Sequence, residues 1–194
     1  MFRNKSINRM AFRLELINLG FSITELLVVL TIFCCLSLVV IPSYFDLHNR
    51  QNVGLKAWEI KRSLELARSV AVAEYRSVKA CPADENDTCV SGLGKRFLVF
   101  GDSNADDQWN SDEPIYKSIA IEGFNVRLSA TGRPFIRFKS SGEAMESGNV
   151  MICNPLTTDY ARQVIVFVSG RIRVSEDTDA DGYDEKSGKA INCV

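Results

Sequence analysis

Histidine is almost absent from this chain of 194 residues, and the single copy is His48. A hydrolase with a Ser-His-Asp triad would therefore depend on a residue that closely follows a long apolar run. No C-x-x-C pair and no glycine-rich phosphate loop occurs. A structural zinc site would then need an all-cysteine cage with unusual spacing. These absences argue against an enzyme and against a zinc protein.

A large excess of either charge is also missing. Lys and Arg total 23, Asp and Glu total 24, and the net charge is -1. Such a balance is unlike that of a protein coated by nucleic acid, so any anion-binding site must be local. The length suits one domain with a membrane segment better than two domains.

The six cysteines form two groups. Two lie inside the apolar run, and four lie in the polar remainder: Cys81, Cys89, Cys153 and Cys193. Four cysteines beyond a membrane segment fit two disulfides in an oxidising compartment, and sequence alone leaves three pairings open. We expect Cys81 to bond Cys89 across a short loop, and Cys153 to bond Cys193 near the chain end.

The first 45 residues combine a basic start with an apolar run. Four basic residues precede Gly20, and residues 26–41 carry no charge and are followed by no convincing small-residue cleavage site. Residues 21–45 are long enough to cross the hydrocarbon core, and the basic residues mark the cytoplasmic side. We therefore expect a single-pass membrane anchor, with the C-terminal domain on the side away from the cytoplasm.

One carboxylate, Glu25, lies inside this segment, where a lone charge costs roughly 2.5 to 3.5 kcal/mol. The stretch GFSITELLVVLTI, residues 20–32, resembles the class III signal of type IV prepilins and pseudopilins. The resemblance implies that residues 1–20 are a leader, that prepilin peptidase cuts between Gly20 and Phe21, and that the new amine of Phe21 is methylated. It also implies that Glu25 pairs with the amino terminus of a neighbouring pilin subunit. The alternative is a plain anchor with an accidental carboxylate.

Beyond the anchor, apolar residues recur at helical steps of three and four: Val53, Ala57, Ile60, Leu64, Ala67 and Ala71. The pattern predicts a helix from residue 21 to about residue 75, whose amphipathic part, residues 46–76, packs on a domain. Residues 77–194 form that β-rich domain and end in an acidic tail. Its short β-rich runs are Arg96–Phe100, Ile115–Ile121, Phe124–Leu128, Phe135–Phe138, Val150–Cys153, Val164–Val168 and Arg171–Val174. The predicted fold class is α+β, a long helix on one antiparallel sheet.

The second half contains several recognisable segments: Cys81-Pro82 with Cys89, FLVFGD at 97–102 with Asn104 and Asp106, Glu113-Pro114, Phe138 with Gly142, Cys153, and SGRIRV at 169–174. In these segments the chain resembles the FimT and GspH family of minor pilins and pseudopilins, which have the pilin fold. The sequence is closest to FimT, which implies a minor pilin of the initiating tip of a type IV pilus. The alternative is a GspH-like minor pseudopilin of type II secretion.

The segment GRIR, residues 170–173, is the strongest candidate for binding. Strand alternation places Arg171 and Arg173 on one face, about 7 Å apart. Phosphates of a nucleic-acid backbone repeat on that scale, and arginine binds them bidentately. In FimT-like minor pilins this GRxR element resembles the patch that binds double-stranded DNA for natural transformation. The alternative is an exposed strand whose arginines serve solubility or pair with Glu176 or Asp177.

Two acidic stretches place oxygen ligands at alternate positions, as calcium loops do. The better match has carboxylates at Asp177, Asp179 and Asp181. Its twelfth position is Gly188, so Asp184 or Glu185 would have to supply the final carboxylate. The weaker match has Asp102, Asn104 and Asp106. Calcium is the one cofactor that these stretches suggest, and solvated acidic turns are the alternative.

Overall fold

The computed structural model describes residues 22–92, 94–130, 133–154, 160–186, 188–191 and 193. The chain divides into two compact units, residues 1–43 and 44–194. The helix α1 begins at Ile23 and ends at Ala73, so both units contain part of it. By length and composition, no single described helix could cross a membrane, but the segments 23–38 and 43–73, a pair with a bend between them, could do so together.

The part of α1 in the second unit packs through the stripe that the sequence predicts. All six residues of that stripe are at most 1% exposed, which confirms the helical period: Val53, Ala57, Ile60, Leu64, Ala67 and Ala71. The helix stops where Tyr75 adopts a left-handed backbone with φ of 52°, a conformation that commonly ends helices. Removing these apolar side chains from water stabilises the packing of the helix on the domain.

Among the residues that the structure describes, ten strands follow the helix: β1 Val78–Ala83, β2 Arg96–Gly101, β3 Ile115–Ala120, β4 Asn125–Ala130, β5 Ile136–Phe138, β6 Gly148–Cys153, β7 Ala161–Val166, β8 Ile172–Val174, β9 Glu185–Lys186 and β10 Lys189–Ala190. They form two four-stranded sheets, ordered β3-β2-β1-β5 and β4-β6-β7-β8, and the ribbon β10-β9. Every pairing is antiparallel. The predicted antiparallel arrangement is confirmed. The strands form two four-stranded sheets, however, and not the single sheet predicted. Both sheets share a hydrophobic core with the apolar stripe of α1.

Strand β1 was not among the predicted β-rich runs, because Lys79 and Pro82 both disfavour a strand interior. Lys79 is nevertheless fully buried in this strand. Pro82 is tolerated because β5 pairs only with Val78 to Ala80. The Pro82 carbonyl accepts from the Val90 amide in the loop that follows β1, so the proline nitrogen also faces that loop and not the β2 ladder.

The disulfides close one short and one long loop. The structure joins Cys81 to Cys89, eight positions apart, and Cys153 to Cys193, 40 positions apart. The first links β1 to the loop after it. The second links the end of β6 to the end of the acidic tail, so that the tail is held beside β7.

Candidate nucleic-acid interface and acidic loops

The hairpin of β7 and β8 positions Arg171 and Arg173. Arg173 lies opposite Ile165 in the ladder, and Val174 lies opposite Val164. Both arginines are exposed, whereas Val174 is buried and Ile172 is half-buried against the core. The predicted alternation of the two faces therefore holds. Because β8 is the edge of its sheet, the arginines also lie where charged residues discourage pairing with another strand.

The predicted runs leave two residues, 169 and 170, between the strands of this hairpin, but its turn is longer. The strands stop at Val166 and resume at Ile172. Between them the Gly170 amide donates to the Phe167 carbonyl at 2.8 Å. The carbonyl of Val168 accepts from the Ala144 amide at 3.0 Å. This contact with a neighbouring turn draws Val168 out of the ladder and lengthens the hairpin.

The two guanidinium groups keep their charge available. Within the described ranges, neither Arg171 nor Arg173 forms an ion pair, so the expected alternative of pairing with Glu176 or Asp177 is not seen. The guanidinium of Arg173 lies over the ring of Phe167, 5.7 Å from its centroid. A cation over an aromatic face is weakly held and restricted in its rotamers. An exposed guanidinium group without an ion pair is available to bind an anion from solution.

The glycine of the GRIR segment is required by space as well as by conformation. Gly170 has φ of 77°, and a Cβ there would lie 2.0 Å from the Gly142 carbonyl oxygen. That carbonyl accepts a hydrogen bond of 2.9 Å from Nε of Arg68 on α1. The hairpin therefore rests directly on a second tight turn that the helix holds. Sequence reasoning missed Arg68, since no local pattern links residues 74 positions apart.

The tail loop brings four carboxylates together. Ligand oxygens of Asp177, Asp179, Asp181 and Glu185 all lie within 4.8 Å of one another. Backbone amides shape the loop, since Gly182 donates to Asp177 at 2.9 Å and Tyr183 donates to Asp181 at 2.8 Å. Of the two candidates for a fourth ligand, the structure brings Glu185 into this group. The geometry offers oxygen ligands of the kind that calcium prefers.

Asp184 instead points into the domain. Its carboxylate accepts from the Ser175 hydroxyl at 2.6 Å and lies 3.5 Å from Nε of Arg162. Burial raises the pKa of Asp184, although the Ser175 hydrogen bond and the charge of Arg162 act in the other direction. Arg50 of α1 is a further anchor of the tail and donates to the Gly182 carbonyl at 2.9 Å.

A lysine of strand β1 supplies positive charge to the first acidic loop. Lys79, with no exposed side-chain surface, forms ion pairs with Asp102 and Asp107. Arg137 also pairs with Asp107. Burial by itself raises the pKa of Asp107, but the hydrogen bond and charge of Lys79 and the charge of Arg137 outweigh it and hold that pKa below its ordinary value. Asp102, one of the three residues of the weaker candidate calcium site, is thus paired with a cation from the protein itself.

The predicted processing residues, Gly20 and Phe21, lie outside the described residues. Glu25 lies in the first turn of α1, exposed, and forms no ion pair with any residue that the structure describes. A carboxylate at this end of a helix is favoured by the helix dipole.

A further surface, not predicted from the sequence, lies on the outer side of α1 in the second unit. Leu55 and Trp58 are exposed there, and a groove of about 710 Å³ runs beside them, with Arg62 and Lys117 in its lining. Exposed apolar side chains in a cluster are typical of protein contact surfaces.

Comparison with known proteins gives one family and one fold. The model of the family described as Type II transport protein GspH matches residues 56–170, more than half of the chain. No curated protein matches the sequence. The type IV minor pilin FimU of Pseudomonas aeruginosa strain PAO1 is similar in structure, with a TM-score of 0.53 and 19% identity over 75% of this chain and 97% of that chain. The minor pseudopilin EpsH of the Vibrio cholerae type 2 secretion system gives a TM-score of 0.46 and 16% identity over 63% of this chain and 94% of that chain.

Proposed function

The chain belongs to the GspH family of type II transport proteins, and from this premise we propose that it is a minor pilin of a type IV pilus that binds double-stranded DNA through Arg171 and Arg173. The family and the pilin fold make it a minor pilin or pseudopilin, which is a structural subunit and not an enzyme. The finer assignment rests on the exposed, unpaired guanidinium groups of the β7–β8 hairpin.

DNA binding of this kind would be weak and without sequence preference. The two arginines present donors to phosphate oxygens, and contacts to phosphates carry no sequence information. Each phosphate neutralised contributes about -0.9 to the slope of log affinity against log salt, so two to four contacts predict a slope of about -2 to -4. Several subunits in one filament would raise the strength of binding through avidity.

The anchor and the assembly contacts complete the proposal. Pilin-like proteins are anchored in a membrane with a periplasmic domain, and here the anchor is residues 21–45 in the inner membrane. Prepilin peptidase cuts after Gly20, and the amine of Phe21 is methylated. Glu25, exposed in the first turn of α1, pairs with the amino terminus of the next subunit. The subunit joins other pilins in the complex that initiates the filament at its tip.

Binding is tested with the full-length protein in detergent and a fluorescent DNA duplex, by anisotropy at several salt concentrations. The variant Arg171→Gln/Arg173→Gln should lose most of the binding and keep its fold, because the strand packs through Ile172 and Val174. Arg62→Gln is the control, since it removes an exposed arginine far from the hairpin in sequence. Equal binding by the hairpin variant and the parent, or no binding by the parent at low salt, contradicts DNA binding and leaves the pilin assignment intact.

Processing is tested by mass spectrometry of the mature amino terminus, which should be N-methylated Phe21. In cells with an active prepilin peptidase, an intact leader would refute cleavage after Gly20. Glu25→Ala should insert into the membrane and fail to enter filaments, because a charge that sets the register is lost. Normal incorporation of this variant would contradict the role of Glu25.

A GspH-like minor pseudopilin of type II secretion is the second candidate, favoured by the description of the matching family. Both candidates have the same anchor and fold, so the cellular system must distinguish them. Deletion of the protein should impair twitching and DNA uptake if it serves a pilus. Loss of secretion with unchanged twitching would instead assign it to a secretion system.

A further inference from the structure

The turn beneath the hairpin is built by Lys139 to Glu143. The Gly142 amide donates to the Lys139 carbonyl, and the Lys139 amide donates to the Glu143 carbonyl, both at 2.8 Å. Gly142 has φ of 81° and is buried, and a Cβ there would lie 3.0 Å from Val72 on α1. The hairpin, this turn and the helix are therefore in direct contact.

Arg68 is the residue that joins these three elements. Its Nε donates to the Gly142 carbonyl and would lie 2.8 Å from a Cβ on Gly170, the residue before Arg171. The side chain is nevertheless exposed, and it forms no ion pair with any acidic residue of the described ranges. The nearby acidic residue on the same helix, Glu65, is already paired with Lys61 at 2.5 Å.

We propose that Arg68 is a third phosphate-binding arginine, so that the DNA-binding surface extends from the hairpin across the Gly142 turn onto helix α1. This inference rests on the DNA binding proposed for Arg171 and Arg173. The Nε hydrogen bond fixes the stem of Arg68 before any ligand arrives, and the terminal N–H groups of the guanidinium remain for a phosphate. A side chain that is already ordered loses less conformational entropy when it binds.

The three arginines differ in how they are placed. Arg171 and Arg173 follow one strand, whereas Arg68 comes from an element that crosses beneath the turn of that hairpin. Contacts from two directions would hold one strand of a duplex in a fixed orientation, since phosphate contacts set the register of a protein on DNA. The hairpin alone offers a single row of charge.

The test compares Arg68→Gln with Arg62→Gln in the full-length protein, by anisotropy with the same duplex. Both changes remove one exposed arginine from α1, but Arg62 lines the groove beside Trp58. Loss of one phosphate contact should reduce the salt slope by about 1 and weaken binding at low salt by about three- to tenfold. Arg62→Gln should change neither quantity.

Arg68→Lys separates binding from support of the turn. A lysine keeps the charge but cannot reproduce the guanidinium donation to Gly142 with the same geometry. If Arg68 binds phosphate, Arg68→Lys keeps the salt slope of the parent while Arg68→Gln does not. If Arg68 only supports the turn, both variants weaken binding alike with an unchanged slope, and the inference is overturned.

The outcomes also separate this inference from the proposed function. Absence of binding by the parent protein removes DNA binding and the inference with it. Binding that depends on Arg171 and Arg173, together with an Arg68→Gln variant that matches Arg62→Gln, refutes the role of Arg68 alone.

Discussion

Acidic side chains alternate in two loops of this protein, residues 102–107 and residues 177–185, but their charges are balanced differently. In the first loop, the buried ammonium of Lys79 pairs with Asp102 and Asp107. In the second loop, the four carboxylates that converge have no ion pair with any residue in the described part of the chain. The same spacing of aspartates thus accompanies two different environments.

The difference comes from strand β1 and not from the loops themselves. Lys79 lies 23 positions before Asp102, in a strand whose six residues are all buried. It pairs with Asp102, the first of the candidate calcium ligands in that loop. The pattern D-x-N-x-D therefore gives the candidate ligands but does not determine what neutralises them. The tail loop is the one whose carboxylates remain available to a cation from solution.

Replacing Lys79 by methionine should destabilise the protein at the first loop. Of the changes considered, we expect this one to have the largest effect on the free energy of unfolding. It leaves Asp102, whose side chain is 2% exposed, without its cation. Breaking a buried pair in this way costs about 3 to 5 kcal/mol of unfolding free energy. Denaturant titration of the oxidised protein measures the loss.

The control for that prediction is Lys95→Met, which removes a pair with Glu85 at the surface. Water screens an exposed pair, so this variant should stay close to the parent in stability. Adding Asp102→Asn to Lys79→Met should restore part of the stability, because the unpaired buried charge disappears. Equal losses for Lys79→Met and Lys95→Met would contradict the role given to Lys79.

Removing the second disulfide should loosen the tail loop and leave the first loop intact. Cys153→Ser/Cys193→Ser opens a loop of 40 residues, which costs roughly 3 to 4 kcal/mol on the chain-entropy model. Hydrogen exchange should rise in residues 175–191 and stay unchanged in residues 102–113. Peptide mapping without reduction checks the pairing on which this prediction depends. A uniform rise in exchange would show that the two loops unfold as one unit.

The helices and strands that could be predicted are those whose burial pattern depends only on the local sequence. The stripe from Val53 to Ala71 needs only the helical period, and the alternation of apolar residues marks seven of the strands. Strand β1 was missed because its Lys79 is stabilised by partners in the later 102–107 loop. The division into two sheets was missed because register depends on contacts between strands.

The candidate site was likewise predictable only where its residues lie in one short segment. Arg171 and Arg173 lie in one short segment whose alternation is visible in the sequence. Arg68 lies on the helix, and its contact with Gly142 arises only when the hairpin, the turn and α1 pack together. Glu185 joins the tail carboxylates because the ribbon β9–β10 turns it toward them.

The stability of the first loop should depend on pH through Asp107. Because the folded pKa of Asp107 lies below its ordinary value, its contribution is present above the unfolded pKa of about 3.9 and is lost as the pH falls through the folded pKa. The side chain is 39% exposed, so solvent screening limits the contribution to about 1 to 2 kcal/mol. Asp107→Asn should be less stable than the parent at pH 7, and the difference should shrink below about pH 4. A constant difference between pH 7 and pH 2 in thermal melts would contradict this assignment.

Calcium should give the smallest effect and the most direct comparison of the two loops. If the tail carboxylates bind the ion, calcium at five times its Kd should add about 1 kcal/mol of stability, which is a rise in Tm of about 2 to 4 °C for a domain of this size. Asp179→Asn should remove most of that rise, because it replaces one of four converging carboxylates. Asp106→Asn is the matched control, since it makes the same change in the loop whose carboxylates pair with Lys79, and it should leave the rise unchanged. If calcium does not raise the Tm of the parent, the tail carboxylates form a solvated acidic turn. If both variants lose the rise in Tm equally, calcium acts through general screening of charge.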